Sequence, residues 1–249
     1  QNTYAYCIMH GGDIIKDMYY YLVSPTKIIR AESQAFTYSS DERLAVGTIV
    51  AVEVGKSEVV GVVLQSAREP EFKVKPVQKI VYTAPIPLPL VQTALWMSDY
   101  YNTHIATVWQ TILPRGITKK RRQKTIPPLE NYTDRTKNVF TADQANALEI
   151  ISDMTPGTAL LHGITGSGKT LVYVEAARKA MSEELSTIIL VPEIALTSQL
   201  VNEFSKQFDN ILLTHSKQTE SERHLVWQQA LTSNDPVVVI GPRSALFMP

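Results

Sequence analysis

Eight residues constrain this chain more than any others. Gly163-Ile164-Thr165-Gly166-Ser167-Gly168-Lys169-Thr170 follows the pattern Gly-x-x-x-x-Gly-Lys-Ser/Thr. That pattern carries meaning only between a strand and a helix. Ala159-Leu160-Leu161 precedes it, inside a stretch Thr158–His162 that reads as a buried strand, and Lys169–Ser182 reads as a helix. In that setting the glycines let the loop wrap a phosphate with backbone N–H groups, and the helix N-terminus adds partial positive charge. Lys169 is then expected to reach the β- and γ-phosphates, and the Thr170 hydroxyl to ligate Mg²⁺. The loop reads as a nucleoside-triphosphate site and leaves the reaction open. The chain has no Asn-Lys-x-Asp segment of the kind that reads guanine. A small-molecule kinase or other P-loop transferase stays compatible with the loop.

The residues around the loop alternate helix and strand. Helices are expected at Ala142–Ser152, capped by Thr141, and at Thr197–Phe208 and Ser221–Leu231. Strands are expected at Thr187–Val191, Asn210–Thr214 and Val237–Ile240. The continuous apolar runs of these strands fit a parallel sheet covered on both faces.

Residues 19–82 read differently. Tyr20–Val23, Ala35–Tyr38, Thr48–Val54 and Val59–Gln65 are rich in β-branched and aromatic residues, and Gly55-Lys56 marks a hairpin turn. Such strands suit a small barrel or curled sheet. Pro85, Pro87 and Pro89 stiffen a connector, and helices are expected at Leu90–Tyr101 and Ile105–Thr111. Tyr100 and Tyr101 read as helix-packing residues. Residues 115–124 hold six Lys/Arg in ten and open a linker that runs to about Phe140. That run is either a solvated charge cluster or a phosphate contact. Ahead of Met18 the chain reads either as an extension before a natural start or as an ordinary strand around Tyr4–Met9.

Charge sharpens this division. The formal net charge is zero, but residues 140–249 hold 7 Lys/Arg against 12 Asp/Glu, and residues 1–139 hold 17 against 12. An acidic half joined to a basic half points to different partners, with a polyanion favoured for the first. No run of about 18 apolar residues exists for a membrane span. The lone Cys7 excludes a disulfide framework, and no basic-then-apolar leader is visible. A cytoplasmic protein is the expectation.

Longer segments carry a resemblance. Phe140-Thr141-Ala142-Asp143-Gln144 precedes the P-loop, and Val191-Pro192-Glu193-Ile194-Ala195-Leu196-Thr197 follows the second strand. Thr214-His215-Ser216, Glu222-Arg223 with Trp227, and Gly241-Pro242-Arg243-Ser244-Ala245-Leu246-Phe247 complete the series. In order and approximate spacing these resemble the PriA family of primosomal replication-restart helicases, superfamily 2 DNA translocases. The N-terminal half resembles the DNA-binding domain of that family through Phe36-Thr37-Tyr38, Gly47-Thr48-Ile49-Val50, Gly61-Val62-Val63, Trp96 with Asp99-Tyr100-Tyr101, and Leu113-Pro114.

The resemblance implies an α/β chain. A small β-rich DNA-binding domain at residues 18–114 would precede a basic linker at 115–139, and a RecA-like parallel-sheet P-loop lobe would occupy 140–249. It implies ATP and Mg²⁺ as cofactors, with the phosphates held by residues 163–170 and adenine read by Gln144. Thr197 and Arg243, with Ser244 beside it, would face DNA. Phe36, Thr37, Tyr38, Gly47 and Lys56 would pocket the 3′-terminal nucleotide, or else form barrel core and turns. His215 and Trp227 read as structural. The expected partners are single-stranded and forked DNA, and by family habit single-strand binding protein and other primosome proteins. The expected activity is ATP hydrolysis driving 3′-to-5′ unwinding.

Departures from the family accompany these expectations. Thr37 stands where the family often has Asp, and Pro242 where it usually has Thr. The 25 residues between Pro114 and Phe140 are too few for the family's winged-helix module. The Asp-Glu-x-His strand, the second motor lobe with its arginine finger and the zinc module are not in these 249 residues. Zinc is therefore expected only in that remaining C-terminal part. The piece itself is expected to bind ATP and forks without unwinding. A non-catalytic DNA-binding module with a vestigial P-loop is the rival reading.

Overall fold

The structure is a computed structural model that describes residues 17–118, 139–154, 157–192 and 204–249. Tyr4–Met9, the lysine and arginine run at 119–124, and Glu193 through Thr197 lie outside the described residues.

Five strands close the first half into a barrel: β1 (Tyr19–Pro25), β2 (Phe36–Ser40), β3 (Ile49–Val54), β4 (Ser57–Ala67) and β5 (Lys75–Tyr82), in the order β1-β2-β5-β3-β4. All pairings are antiparallel except β2 with β5. Alternating residues put Tyr21, Val23, Tyr38, Val50, Val52 and Val63 inside. The β3–β4 hairpin turns at Gly55, whose φ of +63° an L side chain tolerates poorly. Strand β5 has no counterpart in the sequence reading. Its lysines and Pro76 argue against a strand, and Pro76 is accommodated because it sits at the start, beside Ser39.

Two helices, α1 (Leu88–Tyr100) and α2 (Ile105–Ile112), cover one side of the barrel. Leu90, Val91, Ala94 and Ser98 form the buried face of α1. Trp109 of α2 is fully buried, and its indole N–H donates to Ser24 Oγ at 3.0 Å. The opposite face of α1 corrects an expectation. Tyr100 and Tyr101 are 67% and 62% exposed and pack on Trp96 and on each other rather than into the core. Helical periodicity aims both outward, because the four buried positions already fill the inner face.

In the second half, α3 (Ala142–Asp153) and α4 (Lys169–Ser182) precede a parallel sheet of order β6-β8-β7. Its strands are β6 (Thr187–Leu190), β7 (Ile211–Leu213) and β8 (Val238–Gly241), with α5 (Glu220–Thr232) before β8 and a 3₁₀ turn at Arg243–Phe247 after it. Val174 and Ala177 of α4 pack with Phe204 and Phe208 on one face of the sheet, and Val226 of α5 packs with Ala245 on the other. The expected strand Thr158–His162 is not formed. That stretch pairs with none of β6, β7 and β8, and Leu160 is 90% exposed. Without a hydrogen-bonding neighbour, three apolar residues do not hold an extended ladder.

The two halves share a core. Trp227 and Leu231 of α5 join Ile86, Trp109 and Leu113 in one buried cluster. Among the described residues no helix is long and apolar enough to cross a membrane.

Candidate functional site

The P-loop is shaped by its own backbone. Gly166 and Gly168 hold φ of +83° and +79°, and Gly168 serves as N-cap of α4 without a side-chain cap. The first turn of α4 therefore presents its N–H groups toward the loop rather than to a capping side chain. Lys169 Nζ donates to the carbonyls of Gly163 and Ile164, each at 2.7 Å. The ammonium thus lies over the mouth of the loop. Thr170 follows it on the first turn of α4, half-buried. A left-handed glycine loop, an unsuppressed helix N-terminus and an ammonium held above it form a donor set suited to a polyphosphate, and the fit is good.

Gln144 sits at the third position of α3 and connects that helix to the loop. Its Oε1 accepts from Thr141 N at 3.0 Å while its backbone N–H donates to Thr141 Oγ1 at 3.3 Å, a capping box. The same side chain donates through Nε2 to Ser167 O at 3.1 Å. A Cβ on Gly168 would lie 2.4 Å from Gln144 Nε2, so the amide rests directly on the loop. Thr165 and Ile164 are exposed at its tip.

A second cleft lies at the carboxyl ends of the strands, the usual ligand position in open α/β sheets. It has a volume of about 560 Å³ and is lined by Pro192, Thr214, His215, Arg223, Arg243 and Ser244, among others. Arg243 and Ser244 are thus in a cleft beside His215, while Trp227 is buried in the inter-half core. Pro242 N-caps the 3₁₀ turn and accepts from Ala245 N at 2.8 Å. Thr214 and Arg223 enter the cleft from segments that sequence spacing does not connect. Only the parallel order of β6, β7 and β8 puts their ends side by side.

The five residues expected to pocket a 3′ end are not gathered at one point. Phe36 and Tyr38 face the barrel interior, and Thr37 between them faces outward. Tyr38 OH donates to Glu53 O at 3.3 Å, and burial, aided by the Glu53 charge, raises its phenol pKa above the usual value. Lys56 lies in the β3–β4 turn, near Tyr38 because Lys75 pairs with Tyr38 and donates to Gly55 O. Gly47 lies at the far end of β3, roughly 20 Å of strand away. There its φ is +88° and a Cβ would stand 2.2 Å from Ile86 O. Its backbone N–H donates to Val63 O and its carbonyl accepts from Ile86 N, so Gly47 joins the barrel to α1.

Two family models match separate parts of the chain. The family model of the PriA 3′ DNA-binding domain (3'BD) matches residues 27–114, and that of the DEAD/DEAH box helicase matches residues 141–248. The replication restart protein PriA of Helicobacter pylori strain J99 is 31% identical over 234 residues, 93% of this chain and 35% of that protein. The PriA of Rickettsia typhi is 29% identical over 222 residues, 86% of this chain and 33% of its own length. A shorter stretch of 93 residues is 47% identical to the PriA of Chlamydia pneumoniae. The chain spans about a third of the length of the relatives it matches most fully.

Proposed function

The chain belongs to the PriA replication-restart family, and we propose that it supplies the DNA-binding domain and the RecA-like nucleotide-binding lobe of an ATP-driven, 3′-to-5′ DNA helicase. The barrel with α1 and α2, residues 18–114, binds fork DNA, and residues 140–249 form the lobe, with 115–139 as a basic linker between them.

The observation that carries this reading is the position of Lys169 Nζ, 2.7 Å from two carbonyls of the glycine loop at the head of α4. Backbone N–H groups from Gly163 through Gly168 would hold the phosphate oxygens of a nucleotide, and Lys169 would supply positive charge to its β- and γ-phosphates. Thr170 offers its hydroxyl to Mg²⁺. Gln144 holds adenine through the amide that now touches Ser167. In a motor with both lobes, hydrolysis of bound Mg-ATP would supply the free energy for movement along DNA. Arg243, Ser244 and Thr197 contact the strand from the motor side. Thr37 and Lys56 contact it from the barrel surface, with Phe36 and Tyr38 packed beneath them, while Gly47 acts at a distance by joining the barrel to α1. Single-stranded and forked DNA are the substrates, and single-strand binding protein and other primosome members are the protein partners.

Titration with a fluorescent ATP analogue in Mg²⁺ tests the nucleotide half of this reading. Lys169→Ala is expected to weaken binding by more than tenfold with the fold intact. Equal affinity in the two proteins overturns it.

A further inference from the structure

The cleft at the strand ends does not stop at the sheet. A second cavity of about 330 Å³ lies between the end of α2 and α5, lined by Gln110, Leu113, Arg115, Glu220, Trp227 and Phe247, among others. Thr214, Arg223 and Ser244 line both cavities. The two spaces therefore adjoin at Arg223 and together outline a groove that bends there. One end opens on the carboxyl edge of the sheet and the other on the last residues matched to the DNA-binding domain.

The charges in this groove favour an anion. Arg115, Arg223 and Arg243 line it, against the carboxylate of Glu220, which lies 3.5 Å from Arg115. Arg223 is anchored rather than loose: its Nε and Nη2 donate to Gln218 O at 3.3 and 3.2 Å. A guanidinium has five N–H donors, so a phosphate contact leaves that anchor intact. Leu113, Trp227 and Phe247 give the inner stretch an apolar floor. A cationic groove with an apolar floor is the arrangement that tracks a single nucleic-acid strand. The walls are also fixed relative to each other, because Trp227 and Leu231 are buried together with Trp109 and Leu113.

We propose that this groove carries the sugar-phosphate backbone of one DNA strand across the junction of the two domains, with Arg223 as the phosphate contact at its bend. The inference rests on the DNA-binding reading above and adds a site to it. The strand then passes from the barrel side to the motor side without leaving the protein surface, and Arg115 neutralises it at the outer end.

The test is fluorescence anisotropy of a labelled sixteen-residue oligothymidylate with this chain over a salt series. Arg223→Gln is expected to weaken binding five- to tenfold and to make the slope of log K against log salt shallower by about 0.7, one phosphate contact on a single strand. Arg223→Lys restores the slope. Arg115→Gln, at an exposed side chain whose loss does not threaten folding, lowers the slope in the same way. Wild-type affinity and slope in both Gln variants, with salt-dependent binding of the oligonucleotide retained, overturns the groove and leaves the DNA-binding reading standing. No binding of the oligonucleotide by the unmodified chain sinks both.

Discussion

Tyr82 and His224 are 142 positions apart in the chain and 2.6 Å apart in space, phenol oxygen to Nε2. Tyr82 ends β5 and His224 lies on α5, so this hydrogen bond joins the barrel to the P-loop half. Trp227, one turn along α5, meets the Tyr82 ring edge-on at 6.0 Å. Together they make the junction a small core rather than a flexible hinge.

Tyr82→Phe keeps the ring and removes the hydroxyl. With His224 only 3% exposed, losing this partner is expected to cost about 1–2 kcal/mol. That corresponds to a fall in Tm of about 3–6 °C for a chain of this size. Calorimetry reads it directly, and a Tm equal to that of the unmodified protein contradicts a stabilising bond at the junction.

Gly47→Ala is expected to destabilise more, by about 2–4 kcal/mol, because it combines a left-handed backbone with a Cβ 2.2 Å from the Ile86 carbonyl oxygen. The loss should appear in urea melts without DNA present. A variant with normal stability and defective DNA binding instead assigns Gly47 to the DNA surface.

Gln144→Glu retains an oxygen acceptor for Thr141 N but removes the N–H donor to Ser167 O. The capping box therefore survives while the tie to the P-loop is lost. Affinity for Mg-ATP is expected to fall about tenfold with helicity unchanged by circular dichroism. Identical titration curves for the two proteins would show that the amide does nothing for nucleotide.

Tyr38 gives a pH signature. Its folded-state pKa is raised above the ordinary 10.0, chiefly by burial and secondly by the Glu53 carboxylate. Folding therefore keeps the proton on, and this stabilisation is fully present below pH 10. It is lost as pH rises from there through the folded value. Alkaline melts of Tyr38→Phe should lose stability less steeply above pH 10. Parallel curves would mean that the phenol is not buried as described.

Around the glycine loop the helix cues held and the strand cue did not: Lys-Thr opens a helix and Thr141 with Gln144 three residues on makes a capping box, while Thr158–His162 forms no strand ahead of the loop. Helix α4 begins and ends where its sequence reading puts it. The failures share another cause. Thr158–His162 has the composition of a strand, yet a strand exists only by pairing, and pairing is decided elsewhere in the chain. Strand β5 has the wrong composition and pairs nonetheless, because β2 and β3 leave a gap that closes the barrel.

Sequence alone determined the local features: which loop turns on glycines ahead of a helix, where α4 starts, and which half carries the excess of cations. These depend on neighbours within about one helical turn, where backbone preference and capping dominate. Only the tertiary structure decided that Phe36 and Tyr38 turn inward, that Gly47 and Lys56 stand at opposite ends of a strand, and that Arg223 lies between two cavities. Those facts come from long-range packing, where burying apolar surface, rather than any local pattern, selects which distant segments meet.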